Sequence, residues 1–217
     1  MFSSLSDGDL RTIITLTSHR DYKKGETLFL EGNESDTLYI LNEGLIKLSK
    51  ITKDGKEQIL RLLSSGDFFG ELNLFGKSRT SNFTAVSIAD TKICMLTKRR
   101  LDLILKENPE IALEILATLS DRLAETENLA QNLATQDVEA RIAYVLLEFR
   151  EKYGTEMNGT LQVKLPVTRE EMANYAGITR ETMSRKLKTL EAKGVLSFQN
   201  PRLVTIRDEG FLRSLLN

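Results

Sequence analysis

The sequence predicts an α+β protein built in series: a strand-rich first part, one long helix, and a helix-turn-helix followed by a small hairpin. Three observations predict it. Residues from about 20 to 98 are short runs of Leu, Ile, Val, Phe and Tyr punctuated by Lys-Gly, Glu-Gly, Asp-Gly and Ser-Gly pairs, the pattern of strands and turns. From Pro109 to about Thr135 apolar residues recur at spacings of four and three, the period of a long helix. Thr168–Leu190 then reads as two short helices joined at Gly177.

In the first part, strands are expected at Thr27–Leu30, Thr37–Leu41, Leu45–Ile51, Gln58–Leu63 and Ala85–Leu96. Gly44, Gly55 and Gly66 recur at equal intervals, which suits hairpins of similar length in a compact barrel or sandwich. Along the long helix, Ala112, Leu116, Leu119, Leu123, Thr126, Ala130 and Leu133 form an a/d seam, the mark of a coiled coil. Glu114, Asp121, Arg122, Glu125 and Glu127 make its flanks polar. With no second comparable helix, the seam implies a homodimer; the alternative is a helix packed on its own β domain. Thr126 is the one polar residue of the seam, a candidate for touching something other than leucine.

The last part opens with a helix over Val138–Lys152 whose apolar face is Ile142, Val145, Leu146 and Phe149. A loop over Gly154–Gly159 and a strand at Leu161–Leu165 are expected next. Thr168 precedes Glu171 by three, a capping-box signature, and Gly177 supplies the permissive backbone of a tight turn. Thr179 caps the second helix. Met172, Ala173, Ala176, Ile178, Met183, Leu187 and Leu190 face inward, leaving Arg180, Glu181, Ser184, Arg185 and Lys188 outward. Val195–Phe198 and Leu203–Ile206 flank Gln-Asn-Pro-Arg, a hairpin turn, so the motif is a winged helix with Gln199, Asn200 and Arg202 on the wing. A helix of this kind enters the DNA major groove. The domains are expected at residues 1–108, 109–137 and 138–217.

Composition narrows the function. Hydrophobic residues are 41% and charged residues 28%, as in globular proteins. No apolar run approaches the roughly 18 residues of a membrane span, and no signal-peptide pattern opens the chain, so a cytoplasmic protein without a membrane partner is expected. The formal charge of −1 hides an asymmetry: residues 1–137 hold 17 basic and 21 acidic side chains, residues 138–217 hold 13 and 10. A basic C-terminal part suits DNA. The single cysteine, Cys94, excludes a disulfide framework, a four-cysteine zinc site and a cysteine-ligated iron–sulfur cluster. His19, the one histidine, is read as a surface or capping residue near an N-terminal helix rather than a haem ligand, and Cys94 as a small core residue. A His-based triad, a metal constellation and a Walker motif are lacking, so no enzyme is expected.

Three motifs, in order, carry a family resemblance over nearly the full length. They are Gly66–Phe75 (GDFFGELNLF) followed by Arg79–Ala85 (RTSNFTA), the heptad helix ending in LATQDV at Val138, and ITRETMSR ending at Arg185. The chain resembles the cyclic-AMP receptor protein and fumarate–nitrate regulator superfamily of bacterial transcription factors. The resemblance implies a cyclic-nucleotide-binding-like β-roll (jelly roll), a dimerisation helix and a winged helix-turn-helix. It implies that Arg180, Glu181 and Arg185 read G·C pairs of a TGTGA-like half-site, since Arg grips guanine O6 and N7 and a carboxylate accepts from cytosine N4. Thr168, Arg169, Thr179, Thr182 and Lys188 then look like backbone contacts, which set register. Implied partners are double-stranded DNA, a second copy of the chain and RNA polymerase.

The first motif is similar to the family's phosphate-binding cassette. A short helix opening at Phe69-Gly70-Glu71-Leu72 offers backbone N–H groups to an anion. Gly70 allows close approach, Glu71 accepts from a ribose 2′-hydroxyl, Arg79 pairs with a phosphate and Thr80 adds a hydroxyl. By resemblance Thr126 reaches the base. Two departures stand against cyclic AMP itself: a slightly shorter Glu71-to-Arg79 spacer, and Glu127 where that receptor uses a hydroxyl from the partner subunit. The effector is therefore left as cyclic AMP, another small anion, or none. The expected function is a homodimeric regulator of a palindromic site, with Asp137–Val138 as hinge. The alternatives are an effector-independent member with a vestigial pocket, in which Glu71 pairs with Arg79, and a nucleotide-binding module that contacts protein.

Overall fold

The structure is a computed structural model describing residues 16–77, 79–134, 137–157 and 160–216. Two compact units emerge. One holds the described residues up to Thr52 together with Ile59–Ala124; the other holds Lys53–Gln58 and the residues from Glu125 onward.

The first unit contains β1 (Ser18–Tyr22), β2 (Thr27–Phe29), β3 (Thr37–Glu43), β4 (Ile46–Ile51), β5 (Glu57–Leu63), β6 (Phe68–Phe69), α1 (Glu71–Phe75), β7 (Thr84–Ser87), β8 (Thr91–Thr97) and α2 (Lys98–Glu107). Helix α3 (Pro109–Ala134) belongs to it as far as Ala124. Two four-stranded sheets form, ordered β1-β8-β3-β6 and β2-β7-β4-β5. Gly44, Gly55 and Gly66 mark the turns between β3, β4, β5 and β6, as their spacing suggests.

Strands β3, β6 and β8 of the first sheet bury residues on both faces, which explains their nearly continuous apolar runs, whereas β1 (SHRDY) is exposed except at Tyr22. Tyr22, Leu41, Phe69 and Ile93 point inward, meeting Ile46, Leu48, Leu63 and Ala85 of the other sheet. Leu38, Ile40, Phe68, Cys94 and Leu96 point the other way, under Leu74 of α1, Leu101 and Ile104 of α2, and Ile111 and Ile115 of α3. The alternation is the period of two along each strand. Cys94 is a core residue, as expected, but it is not isolated: its Sγ lies 3.0 Å from His19 Nδ1 and accepts from the Asn42 amide at 3.0 Å. His19 is an exposed residue of β1, in register with Cys94 and three residues beyond the helical Leu16.

The run Ala85–Leu96 is two strands in different sheets. Ser87 and Thr91 hydroxyls both donate to the Ala89 carbonyl, at 2.6 and 2.8 Å, stabilising a turn by side-chain-to-backbone bonds. Strands β1 and β6 and helix α2 were not foreseen from the pattern.

Helix α3 has two faces that the heptad reading merged. Ile111 and Ile115 are buried, Leu119 packs against the same cluster, and Arg122 continues that row into the unit. Leu116 and Leu123 are each 61% exposed and Leu113 is exposed as well. Leu119 thus serves its own unit, while Leu116 and Leu123 keep the outward seam.

The second unit contains α4 (Val138–Tyr153), β9 (Gly154–Met157), β10 (Thr160–Lys164), α5 (Arg169–Ala176), α6 (Arg180–Ala192), β11 (Leu196–Asn200), β12 (Leu203–Ile206) and α7 (Glu209–Ser214). Its sheet is ordered β11-β12-β10-β9. The expected loop from Gly154 is a strand as far as Met157, paired antiparallel with β10; residues 158–159 lie outside the described residues. Asp137 caps α4, accepting from the Glu139 N–H at 2.8 Å. Tyr175 stacks on Phe149 and donates to both Glu148 oxygens, at 2.9 and 3.0 Å. Burial, then the Glu148 carboxylate, push the Tyr175 phenol above its usual range. Burial first and Glu148 second also raise Tyr144, to about 12. For Lys152 burial works downward, but Glu148 and Glu125 outweigh it and hold the ammonium above its usual range.

Candidate functional site

Two groups of predicted residues are placed on these frames. On α5, Thr168 forms the full capping box: its Oγ1 accepts from Glu171 N–H at 3.2 Å, and its own N–H donates to Glu171 Oε2 at 2.8 Å. Gly177 ends the helix in the left-handed region, φ 64° and ψ 36°, where a side chain is strained. Thr179 then caps α6, accepting from Thr182 N–H at 3.2 Å and donating to the Thr182 hydroxyl at 3.0 Å. Thr182 is therefore held within the cap. Met183, Leu187 and Leu190 are buried, which turns Arg180, Glu181, Arg185 and Lys188 to solvent with Ser184 half-buried beside them. Glu181, Ser184, Arg185, Lys188, Thr189 and Ala192 line one shallow open groove.

Neighbouring contacts fix this helix. Lys186 is not part of the outward row; its Nζ meets Glu139 Oε1 of α4 at 2.6 Å. The Arg169 guanidinium lies 4.9 Å over the Phe198 ring of β11. On the wing, Gln199 and Asn200 are exposed. Arg202 instead turns inward, donating to the Pro166 carbonyl at 2.9 Å.

In the first unit the cassette surrounds Glu71. Gly70 has φ 92°, and a Cβ there would collide with the Thr37 carbonyl oxygen, so the position demands glycine. Helix α1 is only five residues long. Glu71 is 4% exposed. Its Oε1 lies 3.2 Å from Arg61 Nη2 of β5 and 3.5 Å from Arg122 Nη1 of α3. Its Oε2 is buried with no hydrogen-bond partner among the described residues. Arg122 also donates to the Phe68 carbonyl at 2.6 Å, stacks 4.1 Å over the Phe68 ring, and lies 3.9 Å from Asp67. The Glu71–Arg79 pair considered for an empty pocket does not form. Arg79 presents an exposed side chain, while its carbonyl accepts from the Asn73 amide at 2.8 Å. Leu72 and Thr80 are exposed, as are Thr126 and Glu127 along α3.

Arg61 and Arg122 are the residues that pattern reading missed. Arg122 carried a signal, because it continues the inward row Ile111, Ile115, Leu119 along α3. Arg61 carried none, since a charged residue within a strand of alternating burial reads as a solvent-facing position. No group of three or more His, Cys, Asp or Glu residues is placed to hold a metal among the described residues. No described helix is long and apolar enough to cross a membrane.

A double-sheet roll with a glycine-led cassette, followed by a long helix and a capped winged helix-turn-helix, defines a DNA-binding regulator. Comparison with known proteins agrees on both halves. Residues 19–108 match the cyclic nucleotide-binding domain and residues 140–215 the Crp-like helix-turn-helix domain. The chain is 34% identical over 192 residues to a CRP-like cAMP-activated global transcriptional regulator of Mycobacterium tuberculosis, covering 84% of this chain and 85% of that one. The structure of FixK2 from Bradyrhizobium japonicum matches with a TM-score of 0.80 at 25% identity, over 92% of this chain and 96% of that chain. The c-di-GMP responsive global regulator CLP from Xanthomonas campestris matches at 0.79 and 26%, over 93% and 99%. The chain belongs to the CRP/FNR family of transcription regulators.

Proposed function

We propose that this regulator works as a homodimer reading a near-palindromic, TGTGA-like DNA site, under the control of a small anionic effector held in its β-roll. The outward row Arg180, Glu181 and Arg185 on a capped helix carries the DNA reading. Arg180 and Arg185 present bidentate forks to guanine, and Glu181 an acceptor to the cytosine amine. Lys188, Arg169 and the cap residues Thr168, Thr179 and Thr182 supply the phosphate contacts that set register, with Ser184 beside them. Leu116 and Leu123, both exposed on one face of α3, support pairing with a second copy, because large apolar residues recurring along a helix need a cover. RNA polymerase is the further partner that such a regulator addresses.

The effector reading rests on the cassette. A buried Glu71 oxygen without a donor fits a ligand hydroxyl, and the exposed Arg79 suits a phosphate. Effectors named for relatives differ, cyclic AMP for the mycobacterial regulator and c-di-GMP for the Xanthomonas one, so the family leaves the choice open. A second reading, an effector-independent regulator, has its own observation: two arginines already pair Glu71.

Selection of bound DNA from a random pool, with and without cyclic nucleotides, tests both halves. A two-fold symmetric site whose recovery depends on nucleotide is expected; recovery of an unchanged site in every condition would favour the effector-independent reading. Arg180→Ala is expected to relax preference at one G·C pair at a cost of about 1–3 kcal/mol. A uniform loss across all sequences would contradict direct readout.

A further inference from the structure

Arg61 is the charged side chain at the cassette that the reading above leaves without a task. Its Nη2 lies 3.2 Å from Glu71 Oε1, and the side chain remains 21% exposed. Arg122, 3.5 Å from the same oxygen, already suffices to balance the Glu71 charge. A second guanidinium in a largely buried place carries a desolvation cost that one carboxylate does not explain. Arginine has five N–H donors and no acceptor, so the bond to Glu71 engages only part of the fork.

We propose that Arg61 selects the base of the effector, and that the effector is a cyclic nucleotide carrying guanine. This rests on the cassette reading given above. In a 3′,5′-cyclic nucleotide the base hangs from C1′, next to the carbon that bears the 2′-hydroxyl. A hydroxyl donating to Glu71 Oε2 therefore brings the base within reach of the guanidinium on the other oxygen of the same carboxylate. Guanine offers two adjacent acceptors there, O6 and N7, whereas adenine offers N7 beside the N6 amine donor. A donor-only fork matches the first edge at both points and opposes the amine of the second. Arg61 thus acts as a specificity-determining residue, with Arg122 as the positioning residue that holds Glu71.

Calorimetric titration of the full chain with cyclic GMP, cyclic AMP and cyclic IMP tests this. Cyclic IMP keeps O6 and N7 but lacks the 2-amino group. Wild type is expected to bind cyclic GMP and cyclic IMP about tenfold or more tightly than cyclic AMP. Arg61→Ser is expected to lose that preference, and Arg61→Lys, which keeps the charge but not the fork, to lose most of it. Thermal melts and DNA binding of each variant report whether it is folded. Equal or tighter binding of cyclic AMP by wild type overturns the base assignment while leaving the cassette reading intact. So does a preference that survives in folded Arg61→Ser, or cyclic GMP binding that cyclic IMP does not share. If none of the three nucleotides binds, the cassette reading falls together with the inference.

Discussion

Glu71 is the residue on which the sensing half turns, and its environment makes definite demands. A carboxylate this deeply buried depends on its cations, because an unpaired buried charge is costly. With Arg61 still beside Glu71, Arg122→Ala is expected to destabilise the chain by about 1–3 kcal/mol, read by urea denaturation, since it strips the Phe68 carbonyl of its donor and Glu71 of one of its two cations. If Arg122→Ala alone is neutral, the cluster is not holding the cassette. Gly70 makes a different demand, since its backbone conformation and the Thr37 carbonyl both exclude a side chain. Gly70→Ala should cost about 1–3 kcal/mol, again by denaturation, and weaken effector binding more than it weakens the DNA-binding half.

At the scale of the element, the second unit pairs well-capped helices with a tyrosine–carboxylate cluster. Tyr144 is raised from 10.0 to about 12 and Tyr175 is raised as well. A phenol held protonated in the folded state contributes stability that is complete below its unfolded value and lost as pH rises toward the folded one. The melting temperature of the second unit is thus expected to fall as pH rises through about 10 to 12. Phenolate absorbance should show Tyr144 and Tyr175 ionising above the range of a free tyrosine; ionisation of both near the free value would dissolve the cluster. The helices of this unit were the most legible part of the sequence, because Thr168, Glu171, Gly177 and Thr179 each write a local hydrogen-bond requirement into the chain. Strands β1 and β6 were not, since pairing with β8 and β3 decides them and neither partner is adjacent in sequence. The α3 seam was half legible. A spacing of three and four shows that a helix has an apolar stripe, but Leu119 and Leu116 face different covers, and only packing separates them. The outward row Arg180, Glu181, Arg185 and Lys188 was readable for the same local reason as its caps, whereas the Arg61–Glu71 contact joins strand and cassette in a way that no spacing encodes.

At the scale of the whole molecule, the outward face of α3 predicts assembly. Leu116→Glu combined with Leu123→Glu is expected to convert a dimer to monomers in sedimentation velocity and to abolish preference for a two-fold symmetric site over a half-site. A dimer that persists would place the interface elsewhere. Affinity for DNA should fall linearly in log–log with salt, and Lys188→Ala should reduce that slope by about 1. One feature of the roll has a consequence beyond stability. Phe68 and Phe69 are consecutive, yet one enters the core under the helices and the other the core between the sheets. The two rings rivet the cassette through the sheet immediately before Gly70, and close-packed interiors resist continuous deformation. A lip fastened on both sides cannot mould itself to a new ligand. Divergence of effector choice is then left to exchanges at the rim, of which Arg61 is an example, so that one scaffold can acquire a new signal without refolding its floor.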